Sequence, residues 1–309
     1  MPLYGIDGNR HLRLIAEQPM RLETDIHSLV EANLEAIFGL KLVAHEFTVG
    51  AFTLDTVAFD DETSGFVIIE YKRDEGGSVI DQGYAYLGTM LNNRAEFVLK
   101  YNEVMDKKLT KDQVDWSQSR ILFVTQRFTP YQVAAINFKD LPIELWRFNK
   151  YENGTLLLEQ MKPTGATASI KPLMQNKAAK AVQSAVDVQT AEDFRHGLPP
   201  SLQAIYGELE SAIRENFPDV VFKIGKGRLI LKRQSATICY VNGQQGAVRL
   251  LLRLPDIPSG NSLGTMRGVK EGDVFRVQAH LKSPKDVTPA VTLIKSAYHE
   301  TGRVLGESA

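Results

Sequence analysis

The chain has very little cysteine. Its single thiol, Cys239, lies in the apolar run ATICYV, and the sequence offers no second cysteine for an internal disulfide. A protein without disulfides fits a reducing compartment, where thiols stay unpaired. We therefore interpret Cys239 as a small apolar side chain that fills a core.

The sequence also lacks any long hydrophobic run. No window reaches the roughly 18 apolar residues of a membrane span, and residues 1–15 contain no apolar segment typical of a secretion signal. These absences argue against a membrane transporter and favour a cytoplasmic protein. With 309 residues, of which 43% are hydrophobic and 24% charged, the chain can form two ordinary globular domains.

Several metal and nucleotide motifs are missing as well. The six histidines show neither an HExxH motif nor another paired spacing, so the sequence does not predict a zinc site. The run Gly225-Lys226-Gly227 matches neither the P-loop nor the dinucleotide fingerprint and is typical of a hairpin turn.

Charge is distributed unevenly along the chain. Residues 1–162 contain 17 Lys or Arg against 24 Asp or Glu, whereas residues 163–309 contain 19 against 13. An acidic half and a basic half suit a metal-dependent enzyme that acts on a polyanion. Asymmetry of this size is also common in proteins that have no such role.

The pattern of apolar residues predicts two domains joined by a linker. Residues 1–162 begin with a hairpin and continue as a helix over residues 25–38, three strands, a helix and a strand, the order of a mixed α/β sheet. Residues 163–197, rich in Ala, Lys, Thr and Gln, predict a linker. Residues 198–309 predict a smaller α+β domain, with a helix from Pro200, four short strands, a fifth strand and a last helix near residues 288–301.

The stretch from Gly65 to Tyr86 carries the strongest functional signal. It begins with an uninterrupted run of aromatic and β-branched residues, typical of a central strand covered on both faces. The run ends abruptly in Glu70, Tyr71 and Lys72. Because side chains alternate along a strand, Glu70 and Lys72 share one face and Tyr71 points to the other. This places a carboxylate and an ammonium in one small space, although a lone Glu-x-Lys at a strand end is usually only a salt bridge.

A helix follows this strand and adds two polar side chains. Gln82 and Tyr86 are four residues apart in SVIDQGYAYLGTMLNN, so they lie on one face of that helix. Taken alone, the pair is also compatible with the ordinary polar edge of an amphipathic helix.

Two more carboxylates precede the strand. Asp55 shares a strand face with the apolar Val57 and Phe59, so we expect it to have a partner such as a metal, a lysine or a hydrogen-bond donor. Glu31 borders the apolar stripe of the first helix. The spacing Ser28-x-x-Glu31 is equally that of a helix capping box, so both readings of Glu31 stay open.

Together these residues resemble the PD-(D/E)XK nuclease superfamily in its Gln-x-x-x-Tyr variant. The runs LVEANLEAIFGL, HEF, LDTVAFD, FVIIEYKR and VIDQGYAYL look like the nuclease domain of NucS-type endonucleases, over about residues 23–160. No residue of the motif is missing. The resemblance implies a restriction-endonuclease-like core of order αβββαβ. Residues 198–300 look like DUF5655, a small α/β domain of unknown function.

The resemblance also implies a Mg²⁺ or Mn²⁺ site. Asp55, Glu70 and the main-chain carbonyl of Tyr71 would bind the ion, and Glu31 would contact it through water. Oxygen donors of this kind suit a hard divalent cation, which offsets charge on a scissile phosphate.

The same family pattern assigns roles to the other motif residues. Lys72 would orient or help to deprotonate the attacking water. Gln82 would position that lysine or the water, and Tyr86 would contact the DNA backbone. The sequence thus predicts a divalent-metal-dependent DNA endonuclease. The alternative is a catalytically inactive nuclease fold that binds nucleic acid or another partner.

Basic residues cluster around one hairpin of the second domain. This hairpin is expected either to bind DNA phosphates or to form a solvated charged face; its residues are Lys226, Arg228, Lys232 and Arg233. Because one such nuclease site cuts one strand, cutting both strands requires two sites. We therefore expect a homodimer.

Overall fold

The computed structural model describes ten stretches of the chain: residues 2–18, 23–72, 78–138, 140–162, 168–170, 177–186, 189–225, 227–244, 246–268 and 272–306. The chain forms two compact units, one of residues 1–34 and 40–188, the other of residues 35–39 and 189–309. The predicted fold class, a mixed α/β core with a smaller α+β domain, is confirmed. No helix in these stretches is long and apolar enough to cross a membrane.

The first part of the chain forms a hairpin, a seven-stranded sheet and the helices that cover it. In chain order the elements are β1 (Leu3–Ile6), β2 (Leu12–Ile15), β3 (Glu17–Gln18), α1 (Glu23–Glu31), α2 (Leu34–Phe38), β4 (Lys41–Val49), β5 (Phe52–Asp60), β6 (Gly65–Lys72), α3 (Val79–Asn92), α4 (Arg94–Met105), β7 (Arg120–Thr125), α5 (Pro130–Ala135), β8 (Ile143–Tyr151), β9 (Leu156–Met161) and α6 (Lys177–Ala185). Two 3₁₀ turns, Lys111–Gln113 and Trp116–Gln118, precede β7.

Strand β6 lies at the centre of the seven-stranded sheet. The strand order is β3-β8-β7-β6-β5-β4, and the seventh strand, β9, also pairs with β8. β6 runs antiparallel to β5 and parallel to β7. Every residue from Gly65 to Tyr71 is buried, because elements cover both faces of the strand. The predicted central strand is therefore confirmed, and its charged end stays paired with β7 beyond the last β5–β6 pair.

The first predicted helix differs from the observed one. A single helix over residues 25–38 was expected, but the chain forms α1 and α2 with a break at Ala32 and Asn33. The side-chain amide of Asn33 donates to the carbonyl of Leu29 at 2.8 Å, and its main-chain N–H turns to Val30 at 3.0 Å. This competition for backbone carbonyls ends α1 one turn early. Gly39, the predicted stop, follows α2 with a φ of +68°.

The segment predicted as a linker, residues 163–197, contains regular structure. α6 buries Val182 and Val186 in the core beneath α3. Between them, Gln183 accepts a hydrogen bond from the Tyr84 hydroxyl at 2.6 Å and donates to the carbonyl of Asp140 at 2.7 Å. A second helix, α7 (Ala191–Gly197), also falls in this segment. The Ala-rich composition of this segment allows one helical turn, and the chain forms two helices there, α6 and α7. The linker and its boundaries at 162 and 198 stay predictions.

The second unit is a six-stranded antiparallel sheet packed against helices. After α7 its elements are α8 (Pro200–Asn216), β10 (Val221–Gly225), β11 (Arg228–Arg233), β12 (Ala236–Gln244), β13 (Ala247–Leu252), β14 (Gly264–Met266), β15 (Val277–Leu281) and α9 (Val287–Val304). The strand order is β10-β11-β12-β13-β15-β14. Cys239, on β12, is fully buried, as its apolar surroundings predict, and burial raises the pKa of its thiol.

An ion triad around the buried Asp60 connects the far end of β5 with β7 and β8. The Arg120 guanidinium donates to Asp60 at 3.1 Å and to Glu144 at 3.0 Å. Asp60, only 1% exposed, also accepts the main-chain N–H groups of Glu62 and Thr63 in the turn before β6. Removing one partner of such a network leaves a buried charge without compensation.

We predict that Asp60→Ala lowers the free energy of unfolding by about 3 kcal/mol. Asp61→Ala is the matched control, because Asp61 is 45% exposed and pairs with Lys41 at the surface; it should cost under about 1 kcal/mol. Urea denaturation followed by tryptophan fluorescence measures both, since Trp116 and Trp146 are the only tryptophans and both lie in the first unit. Equal losses in the two variants would contradict the role of the triad.

Candidate functional site

The end of the β5–β6 pairing positions the candidate site. The antiparallel ladder joins Asp60 with Gly65 at one end and Thr56 with Ile69 at the other. Asp55 and Glu70 are the next residues beyond that last pair. On its other edge β6 stays paired with β7 as far as Lys72, so β6 keeps its direction after leaving β5. Two carboxylates therefore meet where one strand loses its partner.

A side chain replaces the missing backbone partner at this point. The main-chain N–H of Tyr71 donates to Oδ2 of Asp55 at 2.9 Å. This bond satisfies an amide that the β5 ladder no longer reaches and fixes the Asp55 carboxylate beside Glu70. The expectation that Asp55 needs a partner is met here by a backbone donor.

Glu70 is bound by two donors on the same oxygen. Nζ of Lys72 lies 3.0 Å and Nε2 of Gln82 lies 2.7 Å from its Oε1. Its other oxygen, Oε2, is buried and has no hydrogen-bond partner among the described residues. A buried carboxylate oxygen without a donor is costly, so this atom is suited to a cation.

Glu70 titrates close to neutral pH. Burial, followed by the nearby charge of Asp55, raises the pKa of Glu70 to about 7, against the opposing effects of Lys72 and Gln82. A divalent cation between the two carboxylates would reverse this balance, because it stabilises the ionised form. Perturbed carboxyls in such a cluster are a frequent mark of functional sites.

Helix α3 supplies the remaining polar groups. Ser78 caps its first turn by accepting the N–H of Asp81 at 3.2 Å. One turn on, the Gln82 amide donates to Glu70 and also to the Tyr86 hydroxyl, at 2.9 Å. Tyr86 therefore keeps its own O–H as a donor, and burial raises its pKa. Hydrogen bonds thus connect four of the residues predicted from the sequence to form one site, Glu70, Lys72, Gln82 and Tyr86. The fifth, Asp55, is held by the N–H of Tyr71, the residue between Glu70 and Lys72.

Glu31 has other partners than those predicted. It contacts His27 through Oε1 and His45 through Oε2, each at 3.0 Å, and accepts a hydrogen bond from the Thr56 hydroxyl. Thr56 follows Asp55 in β5 and faces the other side of the sheet, so Glu31 belongs to a second cluster. The capping-box alternative was wrong, since Ser28 lies inside α1 rather than at its start. An indirect contact of Glu31 with a metal at Asp55 stays a prediction.

Sequence reasoning did not foresee this histidine cluster. The structure brings His27, Glu31 and His45 together with all three ligand atoms within 4.8 Å of one another. The spacing His27-x-x-x-Glu31 on one helix face was the available signal. His45 comes from β4, and no local pattern connects it with α1.

The predicted DNA-binding hairpin is largely engaged in internal contacts. Lys232 is buried, and the Arg228 guanidinium stacks on Tyr240 at 3.9 Å from the ring centre. Arg233 pairs with Asp219 at 3.1 Å and stacks on Tyr298. Lys226 lies outside the described residues. These contacts hold the side chains of Arg228, Lys232 and Arg233 within the second unit, and DNA binding by this hairpin stays a prediction.

Comparison with known proteins identifies relatives for both parts of the chain. Residues 191–301 match the domain family described as "Domain of unknown function (DUF5655)", which agrees with the resemblance noted for the second domain. An uncharacterized protein of Haemophilus influenzae is 34% identical over 245 residues, covering 79% of this chain and 81% of that protein. The chain belongs to the family of that Haemophilus protein.

Solved structures with partial similarity include three proteins. An EndoMS–dsDNA2 complex aligns at 17% identity with a TM-score of 0.25, and a repair endonuclease from Pyrococcus abyssi at 17% with 0.24. These alignments cover 43% and 41% of this chain and about half of those chains, 49% and 48%. SfsA of Pyrococcus furiosus with Ca²⁺ aligns at 14% identity over 51% of this chain and 74% of its own, with a TM-score of 0.25. Similarities this weak support no conclusion about activity, which has to be argued from the residues of this chain.

We predict that Mg²⁺ affinity depends on pH through Glu70. Below pH 7 a proton competes with the ion for this carboxyl, so affinity should rise by about tenfold per pH unit and level off above pH 7. Calorimetric titration between pH 5.5 and 8.5 measures this. Mg²⁺ is the suitable probe because imidazole ligands do not favour it.

Glu70→Gln is the control for this titration, since it keeps the shape of the side chain but cannot ionise. Its Mg²⁺ binding should be weak and nearly independent of pH. A wild-type affinity that does not change between pH 6 and pH 8 would contradict the assignment of Glu70 as a ligand.

Proposed function

We propose that this protein is a divalent-metal-dependent DNA endonuclease that hydrolyses phosphodiester bonds. The observation that carries the proposal is the convergence of Asp55, Glu70 and Lys72 at one strand end, with a buried Glu70 oxygen that has no donor in the described chain. The residue pattern that resembles PD-(D/E)XK nucleases supports the choice of DNA as substrate.

The donor set fits a hard divalent cation. Asp55 and Glu70 would hold Mg²⁺ or Mn²⁺, with the main-chain carbonyl of Tyr71 as a further oxygen donor. When bound, the ion would supply charge compensation at the scissile phosphate. The Oε2 of Glu70, which has no donor among the described residues, is the atom best suited to it, because Oε1 already accepts two hydrogen bonds.

Lys72 would act on the attacking water and on developing negative charge. Its side chain is 28% exposed, and its ammonium pairs with the buried carboxylate of Glu70. Lys72 is therefore both accessible from solvent and held in place. An ammonium held in this way can orient a water and stabilise the additional negative charge of the pentacoordinate transition state of phosphodiester hydrolysis. The pairing with Glu70 keeps Lys72 within the site before substrate arrives.

Gln82 and Tyr86 would position the other groups. The Gln82 amide uses both of its N–H bonds, one on Glu70 and one on Tyr86, and so fixes the distance between the strand end and α3. The Tyr86 hydroxyl accepts from Gln82 and retains a proton to donate to a DNA phosphate oxygen. A tyrosine hydroxyl is protonated at neutral pH, and burial, which raises the pKa of Tyr86, favours the same form.

The decisive experiment is cleavage of supercoiled circular DNA in Mg²⁺ or Mn²⁺. We predict that the wild type nicks the circle and that Asp55→Asn and Lys72→Met each lower the rate by at least about 100-fold, as losses of charged catalytic groups do. Because a circle has no ends, cutting it distinguishes an endonuclease from an exonuclease. A dimer would be required for linear product to appear without prior accumulation of nicked circles.

Two matched variants control for general effects of charge. Asp81→Asn makes the same chemical change as Asp55→Asn on the exposed first turn of α3, and Lys100→Met matches Lys72→Met on α4. Both should cut at wild-type rates. Tight DNA binding by a folded wild type without cleavage of circular, linear, single-stranded or mismatched DNA would instead favour the inactive binding module.

A further inference from the structure

The second cluster on the sheet is built from three side chains that commonly bind metals. His27 and Glu31 lie one turn apart on α1, and His45 faces them from β4. These residues all belong to the first unit, and their contacts with one another lie on the opposite face of the sheet from Asp55 and Glu70. Two imidazoles and a carboxylate form a donor set that first-row transition metals favour.

The distances between the donor atoms match a shared ligand. Nε2 of His27 and Nδ1 of His45 each lie 3.0 Å from an oxygen of Glu31, and the two nitrogens are 3.2 Å apart. Metal–ligand bonds of about 2.0–2.1 Å at tetrahedral angles separate neighbouring ligand atoms by roughly 3.3–3.4 Å. The two nitrogens are close to the spacing that one cation would impose, and each lies beside a different oxygen of Glu31. One donor atom from each of the three residues lies within 4.8 Å of the other two, so the carboxylate can bind a shared cation through either oxygen or both.

The close contacts between the polar atoms of this cluster cannot all be hydrogen bonds at the same time. Glu31 already accepts the Thr56 hydroxyl, whose oxygen also lies 3.2 Å from Nε2 of His27. For both imidazoles to donate to Glu31, two N–H groups would face each other across 3.2 Å. A cation that binds both nitrogen lone pairs and the carboxylate removes this conflict.

The cluster is buried at His27 and exposed to solvent at His45. The His27 ring stacks on Tyr71, with ring centres 4.6 Å apart, and is buried. The side chain of His45 is 54% exposed, whereas that of Glu31 is 12% exposed. A cation can therefore enter past His45, and solvent can provide the fourth ligand, as in three-ligand zinc sites.

We propose that His27, Glu31 and His45 form a binding site for Zn²⁺ or a similar imidazole-preferring transition-metal dication. The site is separate in position and in chemistry from the oxygen-donor site at Asp55 and Glu70. It does not depend on the proposed nuclease function, and it is defined by its own ligands.

This cation would brace the strands that carry the other site. Thr56 follows Asp55 in β5, and Tyr71 follows Glu70 in β6, so the two clusters lie back to back across the sheet. Thr56 contacts Glu31, and Tyr71 packs on His27. Fixing these ligands restrains both strand ends, so the thermal unfolding temperature should rise when Zn²⁺ binds.

The test is metal binding to the full chain after removal of metals with a chelator. We expect one equivalent of Zn²⁺ to bind in competition with a chromogenic chelator, and one equivalent of Co²⁺ to give visible absorption bands with the intensity of four- or five-coordinate cobalt. His45→Ala should weaken Zn²⁺ binding by about 100-fold, because two ligands remain. Its exposed position makes this variant the safest for folding, which circular dichroism checks.

Two further variants separate the outcomes. His11→Ala is the control for loss of an exposed histidine, since His11 is 79% exposed and pairs only with Asp7 among described contacts. Glu70→Gln should bind Zn²⁺ and Co²⁺ as the wild type does, whether or not the protein cuts DNA. The site would be overturned if the wild type bound no Zn²⁺, if His45→Ala bound it unchanged, or if Glu70→Gln abolished binding.

Discussion

The bond from the Tyr71 N–H to Asp55 is the interaction on which both clusters depend. It lies where the β5–β6 ladder stops. There the Tyr71 N–H donates to the side-chain carboxylate of Asp55 instead of to a backbone carbonyl of β5. The sheet itself thus holds Asp55 in place, and no loop is needed to aim it. Because β6 continues beside β7, Glu70 and Lys72 gain the same rigidity from the opposite edge. Preorganisation of this kind is what a site for charge stabilisation requires.

The alternation of side chains then divides the chemistry between two faces. On one face the negative charges of Asp55 and Glu70 repel each other. Together with burial, which has the larger effect, this repulsion raises the pKa of Glu70 to about 7. On the other face Thr56 and Tyr71 contact the cluster around Glu31. Oxygen donors collect on the side of α3 and nitrogen donors on the side of α1. The same strand ends thus carry carboxylates on one face and contact the histidine cluster on the other. Because consecutive residues of a strand point to opposite faces, the two groups of side chains stay separate.

Sequence patterns predicted what depends on local order, and they did not reach contacts between distant elements. The apolar run before Glu70 gave the central strand, and the spacing of Gln82 and Tyr86 gave their common face. The approach of His45 to His27 depends on how β4 packs against α1, which no periodicity encodes. Lys232 shows the same limit, because a charged residue in an apolar run gave no sign that it would be buried. The break at Asn33 arose because its side chain competes for the backbone carbonyl of Leu29. The apolar periodicity of residues 25–38 continues through this position and therefore did not predict the break.

The burial of Cys239 has a practical consequence for studying the two units separately. The only thiol of the chain lies in β12 of the second unit, inaccessible to solvent and with its ionisation suppressed. A thiol-specific reagent can therefore modify it only when that sheet opens, so the rate of modification reports the opening equilibrium of the second unit. The tryptophans report the first unit. Each unit thus contains a natural reporter, the tryptophans in the first and the thiol in the second. The opening of each unit can therefore be followed separately without an introduced label.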